Sequence, residues 1–250
     1  MSQKQKRILT AGILVKEVTW TRAAASEPPR IRAAKRKASS EAQQRMNAKY
    51  SWQKLEERIA ANFAPGDLVV TLTYDDDHLP ADRVHADRKL KKFWEAFRES
   101  RKARGESAVY IYNTENVSGA GRWHHHLVVN ATGTDDFAEI LRCWTCGDDI
   151  EIKRLQVDRE KNYESLARYM CKERQERGKH TWRCSRNCKK PEVESFRVSE
   201  DTEIAAPEGA IVLEDVQVKT EYGSWHYLKY LAVDPQQLPR PKTRRRRRRT

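Results

Sequence analysis

The chain has 250 residues, enough for one good-sized domain with appendages or for two small domains, and a net charge of +13 at 38% hydrophobic content. A mean hydropathy of −0.91, with no apolar run near the ~18–20 residues of a membrane span, argues against a transmembrane protein. Lys16 and Glu17 interrupt the short apolar patch near the N-terminus, so no secretory signal is expected and the protein is read as cytoplasmic.

The charge is unevenly placed. Residues 1–50 hold 12 Lys/Arg against 3 Asp/Glu, residues 236–250 hold 8 Lys/Arg and no acid, and the stretch between them is net −4. Residues 1–39 read as a basic flexible arm, and 237–250 as a disordered poly-Arg tail, because neither can bury enough apolar surface to offset its ordering entropy. In the tail, Arg244, Arg245, Arg246, Arg247, Arg248 and Arg249 are candidates for salt-sensitive contacts to nucleic-acid phosphates.

A helix is expected over about 40–62, ending before the Pro-Gly turn at 65–66. LVVTLTY (68–74) is β-branched and reads as a strand. Leu90, Phe93, Trp94 and Phe97 fall at helical spacing between Asp82 and Arg104, and Gly105 stops that run. AVYIYNTE (108–115) and WHHHLVV (123–129) are strands around a glycine-containing loop. DDFAEILRCW (135–144) is a short helix, IEIKRLQV (150–157) alternates as a strand, and KNYESLARYMCKERQER (161–177) is a helix.

The order within 68–157 is β-α-β-β-α-β. This predicts an α+β fold of ferredoxin-like arrangement, with an antiparallel sheet carrying helices on one face. The helix at 161–177 can then cross the other face. The expected division is a central domain at 40–198 and a small strand-containing extension at 199–236, whose strands are AIVLEDVQV (210–218) and SWHYLKYLAV (224–233).

Five cysteines, an odd number, fit reduced thiols in a reducing compartment. Cys143, Cys146, Cys184 and Cys188 form two short-spaced pairs with the ligand types of a structural zinc site. Small apolar or surface thiols are the favoured reading.

Three consecutive histidines open the strand at 123–129. Side chains alternate along a strand, so His124 and His126 share one face while His125 points to the other with Leu127. If the preceding loop closes simply, Glu115 lies opposite His124 and Asn113 opposite His126. Two imidazoles and a carboxylate suit Mn²⁺ or Mg²⁺, with zinc as a further possibility, and leave coordination positions open for phosphate chemistry. On the helical wheel of 163–173, Tyr163, Leu166, Ala167 and Met170 make the apolar stripe, and Tyr169 lies off it. Tyr169 is therefore available as a nucleophile, with Lys172 three residues on to favour a phenolate or steady a phosphate.

TLTY (71–74), HHH (124–126) and YMCK (169–172) resemble, in order, the three motifs of HUH-type rolling-circle replication initiators. Over about 40–195 the pattern is similar to filamentous-phage gene II-like replication-associated proteins of bacterial plasmids and phages. The middle residue of the histidine motif is usually hydrophobic in that family and is His125 here. The resemblance implies that His124 and His126, with Glu115, hold a divalent ion. It implies that Tyr169 attacks a DNA phosphate, giving a 5′-phosphotyrosine link and a free 3′-OH, and that Lys172 assists at the phosphate. A single-tyrosine enzyme acting on single-stranded or origin DNA in a bacterial host is expected. No P-loop is present, so unwinding and synthesis would fall to a host helicase and polymerase. Relaxases and single-tyrosine transposases are near alternatives. From another class, a non-catalytic protein would use Tyr110, Tyr112, Trp123 and the histidines on the sheet to stack single-stranded bases.

Overall fold

The computed structural model describes residues 3–22, 41–116, 122–133, 135–158, 160–172, 180–221 and 223–239. The chain forms two compact units, residues 38–189 and residues 1–37 with 190–250.

The first unit contains α1 (Glu41–Ala60), β3 (Leu68–Leu72), α2 (Arg83–Ala103), β4 (Tyr110–Asn116), β5 (Trp123–Val129), α3 (Asp136–Cys143), β6 (Ile150–Arg154), α4 (Glu164–Met170) and the two-residue β7 (Arg183–Cys184). Its sheet is antiparallel in the order β6-β3-β5-β4-β7. Apart from the added edge strand β7, this is the expected β-α-β-β-α-β arrangement.

Helix α2 begins where the Asp82 carboxylate accepts the His85 amide, and it ends before Gly105, whose φ of +72° favours glycine. Its apolar stripe packs Leu90, Phe93, Trp94 and Phe97 onto Leu68, Val70, Leu72, Tyr110, Leu127 and Val129 of the sheet. Arg101 is fully buried beneath this layer. It donates through Nε to Glu139 and through Nη2 to Asp136, both at 2.9 Å, and so ties α2 to α3. On the opposite sheet face α4 packs against α1, where Arg168 lies 4.0 Å from the Trp52 ring centre.

The second unit corrects the sequence reading. Residues 3–22 are not an arm but a hairpin, β1 (Gln3–Ala11) and β2 (Leu14–Arg22). They pair with β8 (Glu192–Val198) on one side and with β10 (Gly223–Leu231) and its neighbour β9 (Ile211–Thr220) on the other, in the order β8-β1-β2-β10-β9. The charges that hid the hairpin in the sequence are satisfied across strands: Glu17 pairs with Lys6 and accepts the Tyr230 hydroxyl. The boundary of the central unit accordingly falls at 189 rather than 198, because β8 joins the N-terminal hairpin. The two C-terminal strands form where the alternating pattern put them. Their core on one sheet face comprises Val15, Leu228 and Tyr230 with Ile204 and Ala232. Residues 23–40 and the tail with Arg244–Arg249 lie outside the described residues.

Candidate functional site

Strand register builds the site. Glu115 is opposite His124 and Asn113 opposite His126, while Thr71 of β3 is paired with His126 from the other side. Thr71, His126 and Asn113 thus form one row on a single face of the sheet, and His124 and Glu115 form the next row. The end of β3 is fixed by the segment at 143–149. Asp75 donates its amide to Cys146 O, Trp144 donates its indole N–H to Thr73 O, and the Thr73 hydroxyl donates to Asp149 O. Gly147 permits this approach, since a Cβ there would lie 2.8 Å from Asp75 N and Thr73 O.

His126 is buried and held at both ring nitrogens. Its Nδ1 is 3.2 Å from Thr71 Oγ1 and its Nε2 is 2.7 Å from Glu115 Oε1. The Nζ of Lys172 lies 3.0 Å from that same Oε1. Burial alone would raise the Glu115 carboxyl, but hydrogen bonds from His126 and Lys172 outweigh it and hold the group below its ordinary value. Burial works to lower Lys172, and its bonds to Glu115 and Tyr169 raise it above the usual ammonium value. His124 is pushed down, first by burial and then by the neighbouring His126.

Tyr169 is 48% exposed, whereas Tyr163 is buried in the core as the helical stripe predicts. The Tyr169 ring meets His126 edge-on at 4.8 Å between centroids, and Lys172 Nζ lies 4.0 Å from the Tyr169 ring centre. Helix α4 ends at Met170, so Lys172 stands just beyond it rather than on it. Asn113 Nδ2 donates to Met170 O at 2.8 Å, which fastens this helix end to the sheet beside His126. Glu115, His124, His126, Tyr169 and Lys172 line one pocket of about 550 Å³ together with Thr71, Thr73, Asp149 and Glu151. All five residues singled out from the sequence are therefore brought together. Thr71 and Asn113 had no assigned role there. Their signal was positional: each occupies the strand position that faces the histidine pair.

His125 faces the other way. It is fully buried between Tyr74, whose hydroxyl is 2.6 Å from Nε2, and Thr114, whose hydroxyl is 2.9 Å from Nδ1. Burial, followed by the neighbouring histidine charges, pushes it down to about 3. The imidazole is thus neutral, and its two nitrogens are met by Tyr74, just beyond β3, and by Thr114 of β4.

Among the described residues, no three His, Cys, Asp or Glu side chains converge as a preformed metal-binding group. This bears first on the cysteines. Cys184 and Cys188 are neighbours beside β7, whereas Cys143 and Cys146 pack against the α2 core, so the two pairs do not converge among the described residues. The histidine pair and Glu115 still meet the chemical requirement for a hard divalent ion. Glu115 Oε2 is buried without a hydrogen-bond partner. His126 Nε2 and Glu115 Oε1 are 2.7 Å apart, close to the roughly 3 Å between adjacent ligands of one small ion.

The aromatic platform suggested by Tyr110, Tyr112 and Trp123 does not form. Tyr110 is buried and stacked on Trp94 at 3.6 Å, and Tyr112 and Trp123 pack against the same α2 core. Their strand positions turn them away from the histidine face.

Residues 67–174 match the family model for replication-associated proteins of the ORF2 and gene II protein type. The matched segment contains all five candidate residues, and the match agrees with a rolling-circle replication initiator of the gene II type. Replication-associated function, with DNA as a binding partner, is what this similarity implies. No curated protein and no solved structure matches the chain. No helix among the described residues is long and apolar enough to cross a membrane.

Proposed function

We propose that the protein nicks and rejoins single-stranded origin DNA through a transient 5′-phosphotyrosine link at Tyr169, and so initiates rolling-circle replication. The observation that carries this reading is Tyr169 itself. It is half exposed on α4, stands edge-on to His126, and shares a pocket with His124, Lys172 and Glu115.

In the proposed step the Tyr169 hydroxyl oxygen attacks a backbone phosphorus and the 3′ oxygen of the preceding nucleotide leaves. The phenol gives up one proton and the departing oxygen takes one up. One phosphodiester replaces another, so the step is close to balanced in energy, and the free 3′-OH can reverse it. Lys172 lies over the tyrosine ring, where its charge favours the phenolate and meets the phosphate. Thr71 orients His126, and Asn113 holds the end of α4 beside it. His124, His126 and Glu115 would hold Mn²⁺ or Mg²⁺. When bound, that ion supplies Lewis-acid polarisation of the scissile phosphate. The arginines at 244–249 are proposed to add sequence-independent phosphate contacts. Host helicase and polymerase are the partners this chemistry would need.

The test is a labelled single-stranded library incubated with Mn²⁺ and resolved on a denaturing gel. A covalent protein–DNA band is expected with the wild type and not with Tyr169→Phe. An equal band in the variant would remove Tyr169 from the reaction.

A further inference from the structure

On the sheet of the second unit, the face opposite Val15, Leu228 and Tyr230 is buried at one end, at Leu9, Leu14 and Leu231, and opens toward the other end. Cross-strand partners share a face, so this face can be read from the register. Trp225 is flanked by Trp20 and Val218, and Tyr227 by Val18 and Val216. The rings of Trp225 and Tyr227 lie parallel, 5° apart in plane and 6.0 Å between centroids. Trp225 is 39% exposed, and Val216 and Val218 beside it are exposed as well. Farther across the sheet, two and three strands from β10, Arg7 of β1 falls in the row of Val18 and Tyr227, and Arg197 of β8 in the row of Gln5, Trp20 and Trp225. Both arginines are exposed.

Two parallel rings at alternate positions of a strand, beside apolar rungs and with guanidinium groups farther along the same rows, suit a ligand with flat apolar surfaces joined by anionic links. That is the chemistry of an unpaired nucleic-acid strand. Charge complementarity selects this occupant over a second apolar protein face. Tyr110, Tyr112 and Trp123 of the first unit pack into or against its core.

We infer that the Trp225–Tyr227 face is a second contact surface for single-stranded DNA, on which successive bases stack while Arg7 and Arg197 meet the phosphates. It rests on the reading that the protein handles single-stranded DNA, and it adds a site remote in sequence from the matched segment.

The test uses the full chain and fluorescein-labelled dT20, followed by anisotropy from 50 to 300 mM salt. Trp225→Leu keeps apolar bulk on the strand and removes the ring. It is expected to weaken binding about tenfold at every salt concentration, leaving the slope of log K against log salt unchanged. Trp225→Phe should stay within threefold of wild type. Arg7→Ala and Arg197→Ala should each flatten the slope by about 0.7. Affinity of Trp225→Leu within twofold of wild type would overturn the inference. So would loss of self-association in that variant with dT20 binding intact, which would assign the face to a protein contact. Adduct formation at Tyr169, measured in parallel, keeps the two readings separate. Loss of dT20 affinity in Trp225→Leu without any wild-type adduct would sink the nicking reading and leave this one standing.

Discussion

Lys172 places its Nζ 3.0 Å from Oε1 of Glu115, joining the end of the tyrosine helix to the strand that faces the histidines. The same ammonium lies 4.0 Å from the Tyr169 ring centre. One cation therefore serves a buried carboxylate and the proposed nucleophile together. Replacing it by Lys172→Met should lower the single-turnover cleavage rate by about 10²-fold or more, in the range seen when a charge-stabilising donor is removed from an active site. A rate within threefold of wild type would limit Lys172 to a structural role.

Metal binding should be visible without any DNA. A divalent ion that binds the native state stabilises it by about 2.7 kcal/mol when present at 100 times its Kd. Titration with Mn²⁺ should raise the melting temperature of the wild type. His124→Ala should lose most of that rise. An equal rise in the variant would put the ion elsewhere.

Thr71→Val removes the hydroxyl 3.2 Å from His126 Nδ1 while preserving the β-branched shape of the strand. The imidazole then loses the contact that sets its orientation. Mn²⁺ affinity, read from the same melting titration, should fall about 10- to 100-fold, as it does when such outer contacts of metal ligands are removed. Unchanged affinity would show that the ring is oriented without Thr71.

The buried ion cluster joining α2 to α3 is a vulnerable point of the first unit. Arg101→Met removes the cation shared by the buried Asp136 and Glu139, leaving Glu139 with Arg104 alone. It should cost about 3–5 kcal/mol in urea denaturation. Adding Glu139→Gln to that variant should recover part of the loss, because one buried charge disappears. No recovery would mean that Arg101 acts through packing against Phe97, 4.5 Å away, rather than through charge.

The same cluster sets an acid limit on stability. Burial works to raise both carboxyls, but the Thr132 and Gly133 bonds with the Arg101 charge at Asp136, and the Ser100, Arg101 and Arg104 bonds at Glu139, leave both lowered from their ordinary 3.8 and 4.5. The native state therefore prefers their ionised forms. Their contribution is complete above those ordinary values and is lost as pH falls through the lowered folded ones. The urea midpoint should be flat from about pH 7 to 5.5 and decline below about pH 4.5. A midpoint rising in that acid window would contradict the sign of both shifts.

The features set by local pattern were legible in the sequence. Alternation alone separated His124 and His126 from His125, and helical spacing alone separated Tyr169 from Tyr163, because side-chain direction within one element follows its period. A short hairpin made the Glu115–His124 register readable as well. The tertiary structure decided what depends on partners distant in the chain. Basic residues at 3–22 resemble a flexible arm until β8 and β10 pair with them and Lys6 meets Glu17. Tyr110 and Trp123 resemble an exposed platform until α2 packs on their face. Thr71 and Asn113 gain their contacts only where β3 and α4 arrive beside His126. Sequence period fixes which way a side chain points, but what it then meets is set by elements tens to hundreds of residues away, and no local pattern carries that information.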